Sequence, residues 1–80
     1  MNKGQIHILK GILYEYDGLI CVADGELVVQ GSLLTSIEWN ERTDELKFYS
    51  GDLETDKYAE ELIPSNEELD LIYKYVVDNF

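Results

Sequence analysis

The sequence has few basic side chains, which restricts the partners that the protein can bind. Six lysine and arginine residues oppose 17 aspartate and glutamate residues, so the formal net charge is −11. Phosphate backbones are bound by clustered lysine and arginine, and anionic lipid surfaces attract the same side chains. We therefore expect no direct binding to DNA, to RNA or to an anionic membrane surface.

Long hydrophobic runs and cysteine pairs are also absent from the sequence. No segment approaches the roughly 18 apolar residues of a membrane-spanning helix. The apolar stretch near the amino terminus is interrupted by His7, Lys10 and Gly11, and no small-residue cleavage site of a signal peptide follows it. The one cysteine, Cys21, has no partner for an internal disulfide, as is usual in a reducing compartment. These features predict a cytoplasmic protein.

Motifs that would indicate an enzyme, a metal site or a cofactor are scarce. The six glycines are dispersed singly, so they form no phosphate-binding loop. One histidine and one cysteine are too few for structural zinc, which takes four ligands. Asp52 and Asp56 could begin a calcium loop, but Lys57 and Ile63 lie where that loop needs glycine and glutamate. We expect a non-enzymatic protein with no cofactor and no metal.

The apolar content is sufficient for a folded domain. Of the 80 residues, 45% are hydrophobic, and the aromatic residues are six tyrosines, two phenylalanines and one tryptophan. A chain of this length buries only about 60% of the surface that it exposes when unfolded, which leaves little room for a deep substrate cavity. The prediction is a single domain over residues 1–80.

Alternating apolar residues and Asp-Gly pairs predict antiparallel strands between about residues 5 and 50. Asp-Gly readily adopts the two positive φ angles of a type I′ hairpin turn. Asp17-Gly18 and Asp24-Gly25 are therefore assigned to turns between neighbouring strands. The predicted strands cover residues 6–16, 19–23, 26–30, 33–39 and 45–50. In this arrangement Cys21 is buried, and the tyrosines of the first strand are half-buried.

A helix is predicted over about residues 66–78. Ser65 and Glu68 have the spacing of a capping box, and Pro64 prevents a helix from continuing smoothly from the preceding segment. The apolar residues that follow recur on one helix face: Leu69, Ile72, Tyr73, Val76, Val77 and Phe80.

This helix face should cover one face of the sheet. The predicted core is formed by Leu46, Phe48, Ile72 and Val76. A short second helix is a further prediction for residues 53–62. The expected fold class is α+β, with an antiparallel meander of four to five strands packed by the carboxyl-terminal helix.

Negative charge is concentrated in the second half of the chain. Residues 38–70 contain twelve acidic and three basic side chains, a net charge of −9, whereas residues 1–37 contain four acidic and two basic ones. A solvated surface would explain such a block, and so would a surface that binds a basic partner. Tyrosines within the block favour binding, since they supply rigid contact area. The candidate partner-binding residues are Glu41, Asp44, Glu45, Tyr49, Asp52, Glu54, Asp56, Tyr58, Glu60 and Glu61.

These features favour a protein-binding module whose acidic side chains occupy a basic surface of a partner, such as the nucleic-acid channel of an enzyme. On a helix, acids four residues apart, such as Asp56 and Glu60, lie roughly 6 Å apart and can imitate successive phosphates. The chain resembles in general character the inhibitors that phages direct at host defence nucleases, namely anti-restriction and anti-CRISPR proteins. The alternatives are an immunity protein for a basic toxin and a small subunit of a complex; an enzyme ranks third.

Overall fold

The computed structural model describes residues 1–22, 27–51 and 59–80 and shows an α+β fold with a carboxyl-terminal helix, as the sequence predicts. Within these ranges the elements are α1 (Lys3–Glu15), β1 (Leu19–Cys21), β2 (Val28–Val29), β3 (Ser32–Leu33), β4 (Ser36–Asn40), β5 (Glu45–Ser50), β6 (Glu60–Leu62) and α2 (Asn66–Asn79). Neither helix is long and apolar enough to cross a membrane.

The main sheet has four antiparallel strands in the order β1-β4-β5-β6. Strands β4, β5 and β6 follow one another as a meander, whereas β1 pairs with β4 across a separate hairpin formed by β2 and β3. In that hairpin Gln30 and Gly31 have φ angles of 53° and 80°, as a type I′ turn requires. The expected pairing of residues 19–23 with residues 26–30 is wrong, because β1 lies beside β4 instead.

The predicted first strand, residues 6–16, is also wrong, because this segment forms helix α1. Asn2 and Gln5 make a reciprocal capping box at the start of the helix, with hydrogen bonds of 2.8 and 2.9 Å. Leu9 and Leu13 are four residues apart on one helix face, and both are fully buried.

Asp17 and Gly18 end this helix instead of turning a hairpin. The Gly18 amide donates to the Leu13 carbonyl at 2.7 Å, and the Asp17 amide donates to the Tyr14 carbonyl at 3.2 Å. These two bonds form a Schellman motif, in which the residues after the helix adopt positive φ. The φ angles are 59° at Asp17 and 85° at Gly18. The positive φ expected from the Asp-Gly pair is therefore present, but it joins a helix to a strand.

One row of side chains crosses the inner face of the sheet and forms the centre of the core. Ile20, Ile37, Phe48 and Leu62 are directly paired from β1 to β6, and all four are buried. Each helix adds two buried residues to the same cluster: Leu9 and Leu13 from α1, and Ile72 and Val76 from α2. Leu46 packs against the cluster while partly exposed. The predicted core is therefore confirmed at Phe48, Ile72 and Val76.

The two helices lie side by side and run in the same direction. The Met1 amino group is 3.0 Å from a carboxylate oxygen of Asp70, near the start of α2. At the other end, the rings of Tyr16 and Phe80 meet edge to face, with centroids 5.5 Å apart. Because residues 6–16 are helical, their tyrosines face outward: the exposed fraction is 63% at Tyr14 and 46% at Tyr16.

Two other sequence predictions need correction. The predicted strand over residues 33–39 is interrupted, because Leu34 and Thr35 separate β3 from β4. The Thr35 hydroxyl donates a hydrogen bond to the Gly51 carbonyl at 2.8 Å. The short helix predicted for residues 53–62 is wrong at its end, since Glu60–Leu62 forms strand β6 paired with β5. Residues 53–58 lie outside the described residues.

Candidate functional site

The face of the main sheet that points away from the helices forms the candidate functional site. Side chains alternate between the two faces of a strand, so the neighbours of the buried row point to this side. We call this surface the outer face. Its residues are Leu19, Cys21, Ser36, Glu38, Asn40, Glu45, Lys47, Tyr49 and Glu61. All of them except Ser36 are partly or fully exposed. Cys21, which was expected to be buried, is exposed here.

Two carboxylates lie near one ammonium group on the outer face, and a third residue with a carboxylate is paired with it across the sheet. The Lys47 Nζ atom is 3.4 Å from Glu45 Oε2 and 3.9 Å from Glu61 Oε1. Glu38 lies directly opposite Lys47 on the neighbouring strand. The negative charge of Glu45 and its hydrogen bond raise the pKa of Lys47, and Tyr49 and Glu61 raise this pKa further. Lys47 therefore stays protonated, and this part of the outer face has a net charge of −2.

Tyr49 lies among these charges with its ring half-buried. It is paired with Ser36 on one side and with Glu61 on the other. Burial raises the pKa of the Tyr49 hydroxyl, and the negative charge of Glu38 raises it as well, while Lys47 acts in the opposite direction. The hydroxyl therefore stays protonated at neutral pH. The residue presents an aromatic surface and a neutral hydroxyl next to carboxylates.

The structure brings some of the candidate residues together and separates others. Tyr49 and Glu61 are paired neighbours on the outer face, and Glu45 lies on the same face beyond Lys47. Glu41 lies in the loop between β4 and β5, and Glu60 is exposed but alternates to the other side of β6. The remaining candidates that the structure does not describe are Asp52, Glu54, Asp56 and Tyr58.

Asp44 makes intramolecular contacts at the base of the β4–β5 loop. Its Oδ1 atom accepts hydrogen bonds from Lys10 Nζ at 2.7 Å and from Trp39 Nε1 at 3.2 Å. These two hydrogen bonds, with the Lys10 charge, lower the pKa of the Asp44 carboxyl. This candidate residue therefore connects helix α1 to the sheet.

The carboxylates of the outer face lie on strands and not on the helix that the sequence predicted for residues 53–62. Glu60 is in a strand, so the helical spacing from Asp56 to Glu60 does not apply. Neighbouring residues on one face of a sheet lie about 5 to 7 Å apart, both along a strand and between strands. The carboxylates of Glu45 and Glu61 accordingly lie close enough to reach the same Lys47 ammonium group.

Sequence reasoning left Glu38 and Lys47 out of the candidate site. The signal for both was present, because Glu38 alternates with Ile37 and Trp39, and Lys47 alternates with Leu46 and Phe48. Polar residues at alternate positions of a strand share its solvent face. What the sequence did not provide was the strand pairing that places Glu38 opposite Lys47.

The residues that the structure describes include no group of three or more histidine, cysteine, aspartate or glutamate side chains placed to hold a metal ion. Comparisons of the chain with known protein families, with curated proteins and with solved structures found no match.

Proposed function

We propose that this protein is a non-enzymatic inhibitor whose outer face occupies a basic, nucleic-acid-binding surface of a partner protein. It would act as a nucleic-acid mimic, in the manner of phage anti-restriction and anti-CRISPR proteins. The observation that supports this proposal is that Glu38, Glu45 and Glu61 share one face of the sheet with Lys47 and Tyr49.

Charge complementarity would give such a surface fast and selective binding. A negative patch that meets a positive patch steers diffusional encounter and raises the association rate by orders of magnitude at low salt. The same field repels nucleic acid and other acidic proteins. The net charge of −11 strengthens the attraction for a basic partner at longer range.

Tyr49 would supply contact energy that the carboxylates do not. Exposed charge pairs are each worth only about 0.2 to 1 kcal/mol, since water and salt screen them. Tyrosines near the centre of an interface contribute more often to its hot spots, because they bury a rigid ring and retain a polar tip. The half-buried ring of Tyr49 has this environment, with carboxylates on either side.

The outer face is carried by regular strands, which limits the entropy lost on binding. Strands β4 and β5 are paired over five residues from Ser36↔Tyr49 to Asn40↔Glu45. Their side chains therefore project from a hydrogen-bonded backbone that is held in place by the buried row beneath it. Interfaces built on ordered elements lose less conformational freedom when the partner binds.

The proposal is tested by affinity capture from the native host with three forms of the full chain: the parent, an outer-face variant (Glu38→Gln, Glu45→Gln, Glu61→Gln) and a matched control (Glu15→Gln, Glu67→Gln, Asp78→Asn). Both variants remove three negative charges at exposed or half-exposed positions. We expect the parent and the control to capture a basic protein that itself binds nucleic acid. The outer-face variant should capture much less of it.

The rate at which the purified partner associates with each variant then distinguishes binding at the outer face from attraction by the overall negative charge. We expect the outer-face variant to associate more slowly than the control, with a weaker dependence on salt concentration. Nucleic acid should compete with the protein for the partner. A captured partner that has no affinity for nucleic acid contradicts the inhibitor proposal and favours an immunity protein or a subunit of a complex. Equal rates for the two variants would show that the outer face is only a solvated surface.

A further inference from the structure

A groove of about 720 Å³ lies where the end of α1 meets β1 and the β4–β5 loop. Its lining includes two aromatic and four charged residues: Tyr14, Trp39, Asp17, Glu38, Glu41 and Arg42. We propose that this Tyr14–Trp39 groove binds a cationic side chain, arginine or lysine, of the basic partner. The inference rests on the proposed function, and it assigns the anchoring contact of that interaction.

The wall formed by Trp39 is held in place from two directions. Its indole Nε1 donates to Asp44 Oδ1 at 3.2 Å, and its backbone amide donates to the Gly18 carbonyl at 2.8 Å. A Cβ atom at Gly18 would lie only 2.7 Å from the Trp39 carbonyl oxygen, so this close approach requires glycine. The groove therefore exists before a partner arrives, which reduces the entropy lost on binding.

The chemistry of the lining favours a cation over an anion or an apolar group. Three carboxylates and one guanidinium leave the groove with a net charge of −2. The faces of tryptophan and tyrosine attract ammonium and guanidinium groups through their ring quadrupoles. Arginine suits such a groove particularly well, because its planar guanidinium stacks on aromatic rings and pairs with carboxylates in two-pronged fashion.

The groove is continuous with the outer face. Glu38 belongs to both surfaces, and so does Leu19. A neighbouring depression of about 430 Å³ shares Tyr14 and Trp39 but contains Lys10, whose ammonium group is already bonded to Asp44. We therefore assign the cation to the groove on the carboxylate-rich side, where a partner bound to the outer face would reach it.

Trp39 allows a direct test, because it is the only tryptophan of the chain. We would titrate the full-length protein with an acetylated and amidated tri-arginine peptide at 0.1 M salt and follow tryptophan fluorescence. At this ionic strength the Debye length is about 10 Å, so distant charges contribute little. We expect saturable binding of tri-arginine and no response to a tri-glutamine peptide.

Two variants locate the binding site. Asp17→Asn with Glu41→Gln removes two groove carboxylates that do not belong to the outer face, and asparagine tolerates the positive φ at position 17. This pair should weaken binding by roughly 2- to 30-fold. Arg42→Gln removes the competing cation and should strengthen binding.

The matched control is Glu67→Gln with Asp78→Asn, which removes the same charge at exposed positions outside the groove. Its affinity should remain close to that of the parent. Equal weakening in both pairs would overturn the inference, because the peptide would then respond only to the overall field. Absence of a fluorescence response, or weaker binding by Arg42→Gln, would overturn it as well.

The groove and the proposed function can fail separately. A basic partner that is lost by the outer-face variant, yet is bound equally well by the parent and by Asp17→Asn/Glu41→Gln, would leave the proposed function intact and refute the groove. If the groove binds tri-arginine but the captured partner does not bind nucleic acid, the proposed function is refuted and the groove inference stands.

Discussion

At the scale of single residues, Asp44 shows how an acidic side chain can serve the fold instead of a partner. One of its carboxylate oxygens joins Lys10 of α1 to Trp39 of β4. The ion pair with Lys10 requires the ionised carboxyl of Asp44. The hydrogen bond from Trp39 is strongest when this carboxyl is ionised. The pKa of Asp44 is therefore linked to the docking of the first helix on the sheet.

We predict that the pKa of Asp44, followed by NMR of its carboxyl carbon, lies below the ordinary value of 3.8, because the hydrogen bond from Lys10 favours the ionised form. The contribution of this contact to stability is then complete above pH 3.8 and is lost as the pH falls through the lowered pKa. In Lys10→Gln the pKa should return toward 3.8. An unchanged pKa in that variant would show that Lys10 is not its cause.

Glycine substitutions should have opposite effects at two positions. Gly18→Ala places a side chain at φ 85°, with its Cβ atom 2.7 Å from the Trp39 carbonyl oxygen. We expect a loss of about 1 to 3 kcal/mol in the free energy of unfolding, measured by urea denaturation.

Gly11→Ala is the matched control, because Gly11 lies inside α1 and a Cβ atom there meets nothing within 4 Å. This variant should gain roughly 0.5 to 1 kcal/mol, since alanine is the better helix former. A stabilised Gly18→Ala, or a strongly destabilised Gly11→Ala, would contradict the backbone geometry described above.

At the scale of elements, helix α2 combines a local start signal with a buried face. Ser65 and Glu68 exchange the two hydrogen bonds of a capping box, at 3.2 and 2.9 Å. Glu68 also accepts a hydrogen bond from the backbone amide of Gln30 at 2.9 Å. The cap that begins the helix therefore also fastens the tip of the β2–β3 hairpin, and these hydrogen bonds to backbone amides lower the pKa of Glu68.

Neighbouring residues of α2 should differ sharply in their contribution to stability. Ile72 is fully buried in the core, whereas Leu71 has an exposed fraction of 58%. Ile72→Ala should lower the free energy of unfolding by about 2 to 5 kcal/mol, which is a large share of the stability of a small domain. Leu71→Ala should change it by about 0.5 kcal/mol or less. Similar melting temperatures for the two variants would show that the buried face of α2 has been assigned wrongly.

Across the whole molecule, the excess of negative charge destabilises the folded state. Seventeen acidic side chains share a molecule with a radius of gyration of 11.6 Å. Repulsion among them destabilises the compact state more than the expanded unfolded chain. The three carboxylates of the outer face are only partly neutralised by Lys47.

Salt should therefore stabilise the protein. We predict that the urea midpoint rises when sodium chloride is increased from 20 to 500 mM, because the Debye length falls and the repulsion is screened. The comparison uses urea, since guanidinium is itself a salt. A midpoint that falls with added salt would mean that favourable ion pairs such as Lys10 with Asp44 outweigh the repulsion.

The same charge predicts that the protein does not bind nucleic acid. Labelled duplex DNA and labelled single strands should show no mobility shift at micromolar protein and physiological salt, because the chain has too few cations to displace counterions from phosphates. A shift that disappears with added salt would contradict the electrostatic basis of the proposed function.

Elements with local sequence signals could be predicted without the structure. The capping box at Ser65 and Glu68 and the apolar stripe after it determine α2, and the alternation of residues 45–50 determines β5. Helix α1 was missed although Asn2 and Gln5 form a similar cap, because its closely spaced isoleucines and leucines fit a strand as well as a helix. Asp17-Gly18 was ambiguous for a related reason, since positive φ suits both a hairpin turn and a helix end.

Which charges become neighbours depends on the tertiary structure. The alternation of Glu38, Lys47 and Tyr49 can be read along the chain, but the pairing of β1 with β4 and of β5 with β6 cannot. Burial of the row from Ile20 to Leu62 sets that pairing, because a shift of one residue would turn the apolar side chains toward water. The same register gathers Glu38, Glu45 and Glu61 on the opposite face. Long-range pairing depends on the whole chain at once, whereas local patterns depend only on neighbouring residues.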